Sequence, residues 1–243
     1  MKQILCLITS LGFSEVESEN MNAIVPAAGS ATRMRGLPKF LLPCSNTFET
    51  LIENHVKNLL LISEVIWIPT RPEFEFLITA LGFPEDRVRT VPMVTENMTQ
   101  TIQAILEIDP SEYFELIMPD TYFQGDLPYS AMTSRPNIAH LACWSIQAQQ
   151  KGKLGQVDLV DSEVKGIEDK NPNCLYDLSW GALTFSRKLM LFASPADPHI
   201  GYAVKKAIQS GERITGTKIQ GKYYDCGTPD EFLLMIKENL IDH

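Results

Sequence analysis

The chain has 243 residues and carries 21 Lys+Arg against 30 Asp+Glu, a formal charge of −9. At 44% hydrophobic and 21% charged it can bury one sizeable core, which excludes wholesale disorder. The acidic balance argues against a general nucleic-acid binder but leaves room for a local basic pocket, and no apolar run approaches the roughly 20 residues of a membrane span.

Apolar runs alternate with helix-period segments along most of the chain. Residues 23–25 read as a short buried strand, followed by a long loop to Pro43. Residues 48–62 read as a helix with Leu51, Ile52, Val56, Leu59 and Leu60 on one stripe, and Asn46 and Glu49 have capping-box spacing. A strand at 65–68, a helix at 73–81 stopped by Gly82, and strands at 88–91, 116–118 and 138–144 follow, with a helix near 99–106. Such alternation predicts one Rossmann-like α/β domain whose mixed sheet is mostly parallel, with helices on both faces.

The C-terminal third changes character. Residues 155–160 and 163–167 flank Asp161-Ser162 as an antiparallel hairpin, and 179–185 and 223–225 read as further strands. Thr228-Pro229-Asp230-Glu231 carries an N-cap, a proline at the first helical position and a capping-box glutamate. These hairpins and a last helix add to the sheet rather than forming a second domain. Residues 1–20 read as an extension of doubtful importance, since the core pattern begins at Met21; residues 21–243 form the domain proper. The five cysteines show no C-x-x-C and no pairing with histidine, so a zinc site and a disulfide framework are not expected, and a reducing cytoplasm is the simplest setting.

Residues 20–48 contain no Asp or Glu, in a chain with 30 acids, yet hold Arg33, Arg35 and Lys39 beside Gly29, Ser30 and Thr32. Small residues let backbone approach a ligand, and successive amides can form an anion nest, so this loop is a candidate phosphate site. An ordinary surface loop is the alternative. Neither a Walker loop nor a dinucleotide fingerprint fits: Gly29 and Gly36 are seven apart, and Pro38 stops a helix too soon.

Ala27-Ala28-Gly29-Ser30-Ala31-Thr32-Arg33 followed by Pro38-Lys39 resembles the signature loop of nucleotidyltransferases that activate sugar 1-phosphates. Four later segments match in order. Met118-Pro119-Asp120 resembles the family's strand-end aspartate, and the stretch from Gly155 to Lys170 its glycine, hairpin and E-K segment. Trp180-Gly181-Ala182 resembles the sugar-side glycine, and Tyr224-Asp225-Cys226-Gly227-Thr228-Pro229 the W-x-D-x-G-T-P segment. Ala28, Ala31, Pro119 and Asn171 depart from the pattern. The resemblance covers nearly everything from Met21 onward.

It implies the nucleotide-diphospho-sugar transferase type of fold and a Mg²⁺-dependent transfer from a nucleoside triphosphate to a sugar 1-phosphate, with release of pyrophosphate. By the same resemblance Asp120 and Asp225 hold Mg²⁺, Arg33 acts on the α-phosphate and Lys39 on the departing pyrophosphate. Ala27, Ala28, Gly29, Ser30 and Thr32 would cradle the nucleotide, with Thr99 and Thr101 near its base. Gly155, Glu168, Asp169, Lys170 and Gly181 would receive the sugar phosphate. Three other readings stand beside it: a cytidylyltransferase acting on a non-sugar phosphate, a binding homologue without turnover, and a glycosyltransferase. The last normally carries D-x-D, which this chain lacks. Neither a nucleic-acid nor a membrane partner is expected, and the sugar, the base and the oligomeric state stay open.

Overall fold

The structure, a computed structural model, describes residues 21–29 and 34–241. The expected extension at 1–20 and the loop residues Ser30, Thr32 and Arg33 therefore lie outside the described residues.

The elements run β1 (Asn22–Ile24), α1 (Leu51–Leu59), β2 (Ile66–Thr70), α2 (Glu75–Thr79), β3 (Val88–Pro92), α3 (Met98–Ile108), β4 (Tyr113–Ile117) and β5 (Thr121–Gly125). They continue as α4 (Tyr129–Met132), β6 (Ala139–Ser145), β7 (Gly155–Val160), β8 (Glu163–Asp169), β9 (Leu178–Ser186) and α5 (Gly201–Gln209). β10 (Thr215–Lys218), β11 (Gly221–Asp225) and α6 (Pro229–Ile236) complete the chain. The sheet order is β3-β2-β1-β4-β9-β6-β10-β8-β7, and β5 and β11 form a separate two-stranded ladder.

Helices cover both faces, as the alternation predicts. α3 and α5 pack Ile102, Ile105, Val204 and Ala207 against Ile24, Leu116 and Leu183. On the other face Ile52, Val56 and Leu59 of α1 and Ile78 of α2 pack against Ala23, Val25, Ile66 and Ile68. Expecting a mostly parallel, Rossmann-like sheet needs correction. Only β1, β2, β3 and β4, with the β6–β10 pair, run parallel. β9 runs antiparallel to β4, β6 and β7, so β9, β6, β10, β8 and β7 pair in a closed five-strand ring. Closure removes sheet edges at that end and gives the hairpins a wall to build.

Local signals explain most boundaries. Asp161 and Ser162 both take positive φ, +49° and +62°, the turn that matches strand twist in a two-residue hairpin. Gly82 ends its helix at φ +69°. Thr228 caps α6, its Oγ1 accepting from the Glu231 amide. The first capping box lies four residues later than its sequence spacing suggests. Thr50 Oγ1 accepts from the Glu53 amide while the Glu53 carboxylate accepts from the Thr50 amide at 2.8 Å, so α1 starts at Leu51. α5, β5 and β10 carry no strong pattern of their own and are absent from the sequence reading.

Two buried ionisable groups sit between the sheet and α1. Glu115 of β4 faces opposite to Phe114 and Leu116, fully buried, and accepts from Ser63 Oγ. Burial pushes its carboxyl up to about 7. His55 of α1 is also buried; its Nε2 donates to the Thr121 carbonyl at 2.8 Å and its Nδ1 accepts from Tyr129 Oη at 3.0 Å. Burial holds this imidazole down at about 4. Glu115 favours the fold below its unfolded pKa and loses that contribution as pH rises through 7. His55 contributes above pH 6.5, and its contribution fades as pH falls toward 4. Each shift is worth about 3 kcal/mol, and between about pH 4.5 and 6.5 they oppose one another. In the unmodified chain these two contributions should largely cancel across that window in urea unfolding. What remains is the added fall toward low pH from His140, whose imidazole is also held below its usual value by burial. Glu115→Gln removes the compensation, so its stability should fall by about 2 kcal/mol from pH 6.5 to 5. Parallel curves for the two proteins would show that Glu115 does not titrate in this range.

Candidate active site

The loop after β1, the turn between β4 and β5, and the end of β11 converge at the carboxyl ends of the parallel strands. This is where open α/β sheets bind ligands. They line a pocket of about 310 Å³. Its wall on the β1 side includes Ala27, Gly29 and Lys39, and its centre Asp120 and Asp225. The ring side contributes Lys153, Gly155, Asp169, Lys170, Trp180, Gly181 and His199.

Asp120 and Asp225 are 105 positions apart, and one antiparallel ladder brings them together. β11 pairs with β5 so that Asp225 stands opposite Thr121, the residue after Asp120. The Cys226 amide donates to the Asp120 carbonyl at 2.8 Å, which fixes the two chain ends side by side. Asp225 Oδ1 accepts from the Gly227 amide at 2.9 Å. Behind them, the His55–Thr121 hydrogen bond ties α1 to the start of β5. Asp120 Oδ2 accepts from Lys39 Nζ at 2.9 Å, an ion pair with side chains 13% and 23% exposed. Such a half-buried pair can exchange partners when a more highly charged ligand arrives.

The ring side of the pocket is shaped by glycines. A Cβ on Gly155 would fall 2.3 Å from Trp180 Nε1, and one on Gly181 2.3 Å from Tyr223 Cε2. Tyr223 is 5% exposed and packs on Trp144 and Phe123, with ring centroids 5.4 and 6.0 Å apart, so it cannot yield. Trp180 borders the open pocket and can. Gly181→Ala is therefore expected to destabilise the fold by about 1–3 kcal/mol, whereas Gly155→Ala should keep its melting temperature and obstruct the site. Equal melting temperatures for the two variants would contradict this packing account.

Lys170 takes a left-handed φ of +48° directly after β8, its amide donating to the Leu154 carbonyl at 3.1 Å. A lysine held in that region is a small strain, of the kind found where a side chain must point at a ligand. The following Asn171 accepts from the Asn173 amide at 3.0 Å, and Pro172 packs over Gly152, where a Cβ would fall 2.8 Å from Pro172 Cα. The inserted Asn171 is thus absorbed in a turn that keeps Lys170 on the pocket. Asp169 lies beside His199, which holds its carboxyl below the usual carboxylate range.

Of the residues singled out from sequence, Ala27, Gly29, Lys39, Asp120, Gly155, Asp169, Lys170, Gly181 and Asp225 line the pocket together. Ala28 is buried and does not line it. Thr99 and Thr101, expected near the base, do not line the pocket: both are buried on α3, and Thr101 Oγ1 donates to the Asn97 carbonyl. Met98, one residue earlier, is the α3 residue that reaches the pocket. Glu168 points away, accepting from Lys205 of α5 at 2.9 Å, because neighbouring strand residues face opposite sides. Sequence reasoning missed Lys153, Trp180, His199 and Tyr223. Trp180 opens a recognised motif and Tyr223 adjoins one, and Lys153 stands two residues before Gly155; nothing in the sequence marks His199.

The donor set suits one class of cation. Among the described residues no three His, Cys, Asp or Glu gather to hold a metal. Two carboxylates facing one pocket would suit Mg²⁺, which prefers oxygen ligands and completes its shell with water and any bound phosphate. Among the described residues no helix is long and apolar enough to cross a membrane.

No family model matches the sequence, and no curated protein matches it. Solved structures do. A UTP-bound UGPase from Acinetobacter baumannii is 19% identical over 92% of this chain and 94% of its own, with a TM-score of 0.74. A UDP-glucose pyrophosphorylase complexed with UDP-glucose is 19% identical over 92% of this chain and all of its own, with a TM-score of 0.72. The inositol-1-phosphate CTP transferase of T. maritima is 17% identical over 89% and 95%, with a TM-score of 0.73. Over nine-tenths of its length, then, this chain has the fold of the sugar-phosphate nucleotidyltransferases.

Proposed function

We propose that the protein transfers a nucleotidyl group from a nucleoside triphosphate to a sugar 1-phosphate, giving a nucleotide-sugar and pyrophosphate. The observation that carries this reading is the meeting of Asp120, Asp225, Lys39 and Lys170 in one pocket with the acid-free loop after β1. Those groups arrive from four distant segments, and all suit two phosphorylated substrates bound head to head.

In the transfer, an oxygen of the acceptor phosphate attacks the α-phosphorus. The bond from that phosphorus to the bridging oxygen breaks, and pyrophosphate leaves. A phosphate monoester is already largely ionised at neutral pH, so no general base is needed. Catalysis is then positioning and charge neutralisation. Asp120 and Asp225 would hold Mg²⁺, which supplies charge neutralisation at the α-phosphate. Lys39 leaves Asp120 to hold the triphosphate and the departing pyrophosphate. By the sequence resemblance, Arg33 would act on the α-phosphate. Lys170 and Lys153 take the acceptor phosphate, and Gly155 and Gly181 leave room for the body of the acceptor. Nucleotide-sugar synthesis fits a cytoplasmic setting, and Cys44, Cys143, Cys174 and Cys226 are free thiols.

One observation favours a second reading. The inositol-1-phosphate CTP transferase is as similar in structure as the enzymes of UDP-glucose, so a cytidylyltransferase acting on a non-sugar phosphate would use the same site. A pyrophosphate-release screen of the common triphosphates against sugar, inositol and small-alcohol phosphates separates the two. Release with at least one hexose 1-phosphate supports the proposal, and release with CTP and an alcohol phosphate alone supports the second reading. Triphosphate binding with no release for any pair would identify a binding homologue.

A further inference from the structure

We propose that His199 is a specificity-determining residue that, together with Asp169, reads two neighbouring neutral hydroxyls on the acceptor. This rests on the nucleotidyl-transfer reading above and adds to it a residue that no motif points to.

The tautomer follows from the backbone. His199 Nδ1 accepts from the Gly201 amide at 3.2 Å, so the ring proton sits on Nε2. Nε2 lies 3.0 Å from Asp169 Oδ2, with side chains 17% and 23% exposed. The contact is close but not aligned as a hydrogen bond, and among the described residues the buried Nε2 has no other hydrogen-bond partner. The ring is held in place by its surroundings. Tyr202 meets it edge-on at 5.0 Å, Trp180 lies 6.4 Å away, and a Cβ on Gly201 would fall 2.9 Å from it. Beside the pair a hollow of about 40 Å³ opens between Gly155, Ile167 and Tyr202, room for a hydroxyl-bearing carbon or a water.

A carboxylate and an imidazole N–H side by side offer one acceptor and one donor. Vicinal hydroxyls complement them, one donating to Asp169 and the next accepting from Nε2. An anionic group at this end would face the Asp169 carboxylate, and the cation lining the hollow, Lys205, is already paired with Glu168 at 2.9 Å. A quaternary ammonium could not accept from Nε2 and would leave that donor buried and unmade. The acceptor class that satisfies both partners is a neutral polyol phosphate, with its phosphate toward Lys170 and its hydroxyl-bearing end toward His199.

The test measures acceptor binding directly by calorimetry, alongside turnover, for the unmodified chain, His199→Ala and His199→Gln. The probes are glucose 1-phosphate, its monodeoxy analogues, inositol 1-phosphate and phosphocholine. His199→Ala is expected to weaken the polyol phosphates at least about tenfold while triphosphate affinity stays within about twofold, and His199→Gln, which keeps an N–H donor, should recover most of the loss. One deoxy analogue should bind the unmodified chain and His199→Ala alike, because the hydroxyl read by His199 is missing from it. Equal losses on every analogue, no recovery with Gln, or tighter binding of phosphocholine than of any polyol phosphate would overturn the assignment. If polyol phosphates bind with the expected His199 dependence but no pair releases pyrophosphate, nucleotidyl transfer fails and the recognition site stands.

Discussion

Asp225→Asn should reduce pyrophosphate release by about a thousandfold, or about 4 kcal/mol of barrier, with an unchanged melting temperature. The two halves of that expectation come from different atoms. Asparagine keeps an oxygen that accepts from the Gly227 amide, now made at 2.9 Å, so the turn between β11 and α6 survives. It loses the negative charge that, with Asp120, would hold Mg²⁺ against the substrate phosphates. Residual activity should respond to raised Mg²⁺ concentration, since Asp120 alone would still bind weakly. A variant within about threefold of normal turnover at saturating substrates would remove the pair from the mechanism.

Lys39→Ala has two effects of opposite sign. The ammonium now 2.9 Å from Asp120 Oδ2 is proposed to move to the triphosphate. A cation about 4 Å from a phosphate oxygen gains roughly 4 kcal/mol at an effective dielectric near 20, with desolvation offsetting part of it. A loss of about a hundredfold in kcat/KM is therefore expected, shared between kcat and the KM of the triphosphate. Divalent binding to the free protein should move the other way. Without the lysine, Asp120 loses the cation now paired with it, so Mn²⁺ titrated into the ligand-free chain should bind several-fold tighter. If kcat/KM falls and Mn²⁺ affinity is unchanged, Lys39 assists the nucleotide without guarding the carboxylate.

Much of this architecture is legible in the sequence because it is local. The 3.6-residue stripe at Leu51, Ile52, Val56 and Leu59 can bury only one face of a helix, and Asp161-Ser162 between alternating strands closes a hairpin by itself. Thr228-Pro229 starts a helix by satisfying amides within four residues. The acid-free loop and the aspartates at strand ends are likewise visible, as residue types in a pattern. What depends on contacts between distant residues was not. Closure of β9, β6, β10, β8 and β7 into a ring needs β9 to pair with β6 and β7, both earlier in the chain, and β10 to join β6 to β8, and no local preference encodes that choice. Thr99 and Glu168 sit beside pocket-lining residues without lining the pocket themselves, since helix and strand phase decides exposure and a shift of one residue reverses it. Asp225 reaches Asp120 only through the β5–β11 ladder, and His199 reaches Asp169 only because α5 packs against β8. The sequence by itself determined most of the elements, though not α5, β5 or β10, and the chemical groups available, through short-range hydrogen bonding and periodic burial. The tertiary structure alone decided which of those groups share one pocket, because long-range strand pairing is selected by the packing of the whole core.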